Sequence, residues 1–220
     1  MSKQPLITLS IREKRFKDKV IYSDTSFSLL ENTSIAVTGL SGSGKSTLLG
    51  MVSGLDTKWD GEVSLNGSPI EKKKLFDTIR PYTAFVFQNI DLIDYLTVEE
   101  NILLPYHFRK DKVDEAAFES LLKELHLDDK RKQISKTLSL GEKQRVAIAR
   151  AFITKPKILF ADEPTGSLDD ENTLSVMNLL ISLCKSNGVA LFMVTHRRSL
   201  LSQFDKVYEI KDEKINEKTL

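Results

Sequence analysis

Apolar positions fall along this chain in short blocks, and the blocks change character several times. ITLSIRE (7–13) and VIYSDTSFSLL (20–30) are rich in β-branched and aromatic residues and predict strands. SIAVTG (34–39) is a short apolar strand ending in glycine, and TAFVFQ (83–88) is another. DGEVSLNG (60–67) predicts a short strand between turns. KILFAD (157–162), VALFMVT (189–195) and KVYEI (206–210) continue the series. Helical stretches lie between: STLLGMVSG after a Gly/Ser loop, and a longer one near 170–186. Apolar strands alternating with helices predict an α/β fold with a mostly parallel sheet covered on both faces.

Between 88 and 137 the pattern turns helical. Thr97 and Glu100 in TVEENILL have capping-box spacing, and Phe118, Leu121, Leu122 and Leu125 share one helical face. The expected organisation is one domain over 1–220. Its core spans about 1–87 and 138–212, a helical lobe is inserted at about 88–137, and 213–220 forms a charged, solvated tail.

Composition narrows the function. With 40% apolar and 29% charged residues, the 220-residue chain can build a real core and suits a soluble protein. Lys plus Arg (32) nearly cancels Asp plus Glu (31), so no nucleic-acid partner is expected. Cys184 has no second cysteine to pair with and falls in a helical stretch, as a buried small hydrophobe would. The start has no signal-peptide core, and no apolar run approaches the roughly 20 residues that span a bilayer. Any membrane crossing is expected to come from another chain.

The strongest chemical signal is GLSGSGKST, Gly39 to Thr47, set between an apolar strand and a helix. G-x-x-x-x-G-K-S at that place predicts a phosphate loop, and the core is accordingly expected to be a P-loop NTPase. Gly39, Gly42 and Gly44 let the backbone curl so that N–H groups from Ser41 to Thr47, Ser43 among them, point at one anion. The helix start adds its positive end. Lys45 would reach the β- and γ-phosphates of ATP, and Ser46 would offer a hydroxyl to Mg²⁺. In ILFADEP (158–164) an apolar strand delivers two carboxylates to its C-terminal end, where ligands sit in open α/β sheets. Asp162 fits the metal, and Glu163 fits the general base for an attacking water. Gln88 and His196 end apolar strands in the same manner. Alone, each would be an ordinary polar cap.

LSLGEKQR (138–145) holds no nucleophile with an adjacent base. Ser139 and Glu142 have the spacing of a capping box that starts the next helix.

Together these motifs resemble, from about residue 6 to 210, the nucleotide-binding domain of ATP-binding-cassette (ABC) transporters. Phosphate loop, Gln88, signature (138–142), ILFADE, SLD (167–169) and His196 come in that family's order. The similarity is closest to short exporter-type ATPases of lipoprotein release and of macrolide or peptide export. The resemblance implies an antiparallel N-terminal β part, with Phe16 stacking on adenine. It has Gln88 sensing Mg²⁺ and the attacking water and linking the site to a separate transmembrane permease, and His196 meeting the γ-phosphate. It further implies a head-to-tail homodimer at the cytoplasmic face of the membrane. There Ser139 and Gly141 would bind the γ-phosphate on the partner's loop, and Asp169 would cross the interface. Two residues depart from the family pattern: Leu140 replaces the usual glycine, and Arg197 stands where the subgroup often has aspartate. Two alternatives remain: a soluble ABC ATPase acting on ribosomes or DNA, and a cell-division ATPase that regulates a membrane partner. Too few residues separate Lys45 from Ser139 for the coiled coil of repair enzymes, and the short stretch after His196 disfavours an importer with a regulatory domain.

Overall fold

The computed structural model describes residues 4–109, 112–165 and 170–218. Two sheets form its frame. The first has the order β2 (Lys19–Leu30), β1 (Pro5–Phe16), β4 (Asp60–Leu65), β5 (Ser68–Ile70), all antiparallel. The second has six strands in the order β10 (Lys214–Lys218), β9 (Lys206–Lys211), β3 (Ser34–Gly39), β8 (Ala190–Val194), β7 (Ile158–Asp162), β6 (Thr83–Phe87). Its pairs are parallel except β9 with β10. This is the mostly parallel sheet, with an antiparallel β part, that the pattern and the resemblance predict.

The continuous apolar runs follow from burial on both faces. In β7 and β8, Phe160 and Phe192 point to one core and Leu159 and Leu191 to the other. The first core lies between the two sheets and contains α1 (Lys45–Val52). Phe27 of β2 meets Phe192 edge to face at 5.4 Å, which ties the sheets together. The second core gathers α3 (Val98–Arg109), α4 (Glu115–Glu124), α5 (Leu140–Phe152) and α6 (Asp170–Ser186). Cys184 of α6 is buried there, and burial pushes its thiol up to about 12.

The capping box expected at Thr97 is present. The Glu100 carboxylate accepts from the Thr97 N–H at 2.8 Å, and the Thr97 hydroxyl accepts from the Glu100 N–H at 3.2 Å. Beside it, Glu99 pairs with Arg131 at 2.6 Å and with Lys132, and the Arg131 guanidinium holds its carboxyl down at about 2. Of the face read on α4, Phe118, Leu122 and Leu125 are fully buried and Leu121 packs at the margin.

Two features differ from the sequence reading. The helix α2 (Lys72–Ile79) went unread, because three lysines in succession hide its two buried residues, Leu75 and Ile79, one turn apart. The C-terminal stretch expected as a charged, solvated tail is instead a strand over its described length. Lys214–Lys218 pair with β9, Ile215 is buried, and the Lys214 ammonium donates to the carbonyls of Ser23 (2.8 Å) and Asp24 (2.9 Å) on β2. A lone apolar residue among charges gives no period to detect. Its long-range partners create the strand.

Candidate functional site

At the end of β3 the chain enters the glycine-rich turn. Gly39 has φ 147, and a Cβ there would lie 2.7 Å from the Ser43 hydroxyl and 2.8 Å from the Ile210 carbonyl. Gly44 has φ 110 and immediately precedes α1, and a Cβ there would sit 2.5 Å from the Ile21 side chain. The loop is thus pressed against β2 and β9 at positions only glycine fits. Tyr22, buried on β2, donates its phenolic hydrogen to the Gly44 carbonyl at 2.8 Å, and burial raises that phenol far above its ordinary value. Lys45 folds back over the turn and donates to the carbonyls of Gly39 and Leu40, both at 3.1 Å. The Ser43 hydroxyl is buried with no hydrogen-bond partner among the described residues. An orphaned donor inside a curl of amides fits an anion that would accept from it. Ser41 and Gly42 form the exposed crest of the loop, and Thr47 lies half-buried in the first turn of α1.

Asp162 and Glu163 lie side by side at the end of β7 but face different partners. Burial raises Asp162 from its ordinary value, while the Ser46 hydroxyl donating to it and the charge of Lys45 act the other way; Glu163 adds to the rise. One hydroxyl and one carboxylate are hard oxygen donors of the kind Mg²⁺ takes alongside phosphate oxygens and water. A cation between them would relieve the cost of a buried charge. Glu163 has φ 45, left-handed backbone held by a bond from its N–H to the Val194 carbonyl at 3.0 Å. Its carboxylate lies 3.1 Å from Nδ1 of His196, just beyond β8.

Ser46, Gln88, Asp162 and Glu163 line a single cleft of about 430 Å³, together with Phe87, Asn89 and Asp91. A second cleft, of about 170 Å³, runs from Gly42 and Ser43 past Lys19, Val20 and Ile21 to Asp212. Phe16 pairs with Lys19 at the tip of the β1–β2 hairpin beside this second cleft and is 66% exposed. The cleft and Tyr22 escaped the sequence reading, since nothing local to β2 signals a bond to a carbonyl on another element.

Ser139, Leu140 and Gly141 stand elsewhere. Ser139 caps α5: its hydroxyl accepts from the Glu142 N–H at 3.3 Å, and the Glu142 carboxylate accepts from the Ser139 N–H at 2.8 Å. Leu140 occupies the first helical position with its side chain 42% exposed. Among the described residues, neither cleft includes any of the three. Asp169 lies outside the described residues.

An apolar strand, a curled glycine loop followed by a lysine and a hydroxyl, and an acidic strand end beside it define a P-loop nucleotide hydrolase. Comparison with known proteins narrows that class. The family model for "ABC transporter" matches residues 22–166. The lipoprotein-releasing system ATP-binding protein LolD of Rickettsia bellii is 38% identical over 198 residues, 89% of each chain. Among solved structures, the dimeric bacterial ABC transporter cassette MJ0796 superposes with a TM-score of 0.79 at 30% identity, covering 97% of this chain and 98% of that one. The same cassette in a post-hydrolysis state with ADP and Pi gives 0.78 at 29%, with the same coverage. The chain belongs to the ABC transporter family. It is an ATP-binding ATPase subunit of that family.

Proposed function

We propose that this ATPase energises an exporter-type transporter as a head-to-tail homodimer docked on a separate permease at the cytoplasmic face of the membrane. The observation that carries the proposal is the division of the site. One cleft unites Ser46, Gln88, Asp162 and Glu163, whereas the capped start of α5 at Ser139 lies apart from it. A helix N-terminus with free N–H groups suits a phosphate. A second copy, turned head to tail, would bring that start to the γ-phosphate on the first copy's loop, completing two sites together. The dimeric cassette MJ0796 and the lipoprotein-releasing name of LolD support the reading.

Within each site, Lys45 and the loop amides would hold the β- and γ-phosphates, with adenine against Phe16. Mg²⁺, held by Ser46 and Asp162 with Gln88 nearby, would neutralise charge developing between the β- and γ-phosphates. Glu163 would accept a proton from the water whose oxygen attacks phosphorus, as the bond to the β-phosphate oxygen breaks. His196, bonded to that carboxylate, would orient it and face the γ-phosphate. Asp169 would cross to the partner. Residues 88–137 would form the helical subdomain and, with the loop after Gln88, receive the permease.

No helix among the described residues is long and apolar enough to cross a membrane. The protein alone should therefore stay in the soluble fraction when floated with phospholipid vesicles, and should float only with vesicles that carry its permease. Firm attachment to protein-free vesicles would overturn the docking assignment.

Leu140 supplies a backbone N–H as glycine would, and its 42% exposed side chain stands out radially from the first turn, off the axis along which the free N–H groups point. Relative to glycine it restricts the turn by about 0.5–1 kcal/mol of backbone entropy. Leu140→Gly is therefore expected to change ATP-driven dimerisation by less than about fivefold, measured by gel filtration in a hydrolysis-deficient background. Gly141→Asp, which sets a negative charge at the anion site, should abolish it. Dimerisation by the glycine variant alone would show that Leu140 holds the protomers apart.

A further inference from the structure

Asn101, on the first turns of α3, is fully buried, and its amide spans two segments that the nucleotide site needs in register. Its oxygen accepts from the Ile93 N–H at 2.9 Å. Its nitrogen faces only acceptors: the Ser135 hydroxyl at 2.8 Å and the carbonyls of Ile93 (3.0 Å), Thr97 (3.2 Å) and Leu96 (3.5 Å). This surrounding fixes which end of the amide is which and engages both of its donor hydrogens. Ile93 and Leu96 lie on the loop that starts at Gln88. Ser135 lies just before Ser139, on the segment leading into α5.

Other bonds follow the same seam. The Ser135 N–H donates to the Leu96 carbonyl at 2.9 Å, and the Lys136 N–H to the Asp94 carbonyl at 3.0 Å. Farther along α5, Arg150 donates to the Asp91 carbonyl at 2.8 Å, and Lys143 lies 3.4 Å from the Asp94 carboxylate. Asp91 itself lines the cleft with Gln88 and Glu163. A continuous set of bonds therefore runs from the cleft, along the loop, to the start of α5. Asn101 is its one fully buried side-chain amide, where a lost bond leaves several polar groups unsatisfied.

We infer that Asn101 is a positioning residue, a joint that makes the loop 89–97 and the segment 134–139 move as one piece. Displacement of the loop by the permease then shifts the Ser139 helix start, and nucleotide closure at Ser139 is felt by the loop. The inference rests on the reading of Ser139–Gly141 as a phosphate site completed by a second copy.

The test uses the full chain carrying Glu163→Gln, with Asn101→Ala, Asn101→Asp or Ser135→Ala added. Asn101→Asp keeps the shape but turns the donor end into an acceptor facing three carbonyls. Three quantities are read: the Kd of the monomer for a fluorescent Mg-ATP analogue, the ATP concentration that half-dimerises the protein, and amide hydrogen exchange. Both Asn101 variants should keep the Kd within about twofold, raise the half-dimerising concentration about tenfold or more, and speed exchange in 91–97 and 134–139 together. Ser135→Ala, which removes a single bond, should shift dimerisation about threefold and serves if the Asn101 variants unfold. Faster exchange in 91–97 while 134–139 stays protected would overturn the joint. So would unchanged dimerisation with both segments loosened. Failure of the Glu163→Gln parent to dimerise would instead sink the shared phosphate site, and coupled exchange would still decide the joint.

Discussion

Glu163→Gln is expected to bind Mg-ATP, accumulate as a closed dimer and hydrolyse about 10²- to 10⁴-fold more slowly than the parent, the usual worth of a positioned general base. The structure explains why the amide is a clean probe. The side chain keeps its size, the bond from the residue's N–H to the Val194 carbonyl is untouched, and Ser46, Asp162 and Gln88 keep their places around the cleft. The capacity to take a proton is removed, together with the negative charge that faces Nδ1 of His196. Single-turnover phosphate release, alongside gel filtration with Mg-ATP, reads both consequences. Turnover near the parent's rate would sink the base assignment and move attention to His196, whose Nδ1 lies 3.1 Å from the same carboxylate.

Lys45→Ala should fail at an earlier step. Charge-assisted hydrogen bonds contribute about 1.5–3 kcal/mol each, so losing the ammonium should weaken ATP binding by roughly ten- to a hundredfold or more. The carbonyls of Gly39 and Leu40 also lose the donor that now ties the loop across its mouth. Equilibrium titration with a fluorescent nucleotide measures the loss directly. The variant should stay monomeric at ATP concentrations that close the Glu163→Gln dimer. An unchanged Kd would remove Lys45 from the phosphate site.

The strands that carry the site were legible because each is a short apolar run buried on both faces, ending in a residue that chemistry needs. SIAVTG, TAFVF and ILFAD correspond to β3, β6 and β7 within a residue. Their convergence was not legible. That Gln88 and Glu163 share a cleft follows from β6 pairing with β7, a register no local window contains. Tyr22 reads as one aromatic residue in a strand until its hydroxyl is found on the Gly44 carbonyl. Asn101 sits in a helical stretch where asparagine is unremarkable, and only the folded loop around it reveals why the residue is buried. Likewise, the mask of lysines over α2 and the lone Ile215 in β10 show the limit of periodicity, which needs at least two apolar turns or alternations to speak.

The left-handed backbone at Glu163, φ 45, carries an evolutionary consequence. A side chain in that region costs on the order of 1 kcal/mol or more relative to glycine, so the backbone there gives the fold no reason to hold glutamate. Selection for stability alone would drift this position toward glycine or asparagine. Any sequence optimised for melting temperature is expected to make that exchange and, on the proposed role of Glu163 as general base, to yield a sturdier cassette without turnover. Retention of glutamate under such pressure is thus a sign that the lineage still needs its ATP consumed, separable from any sign that the protein folds.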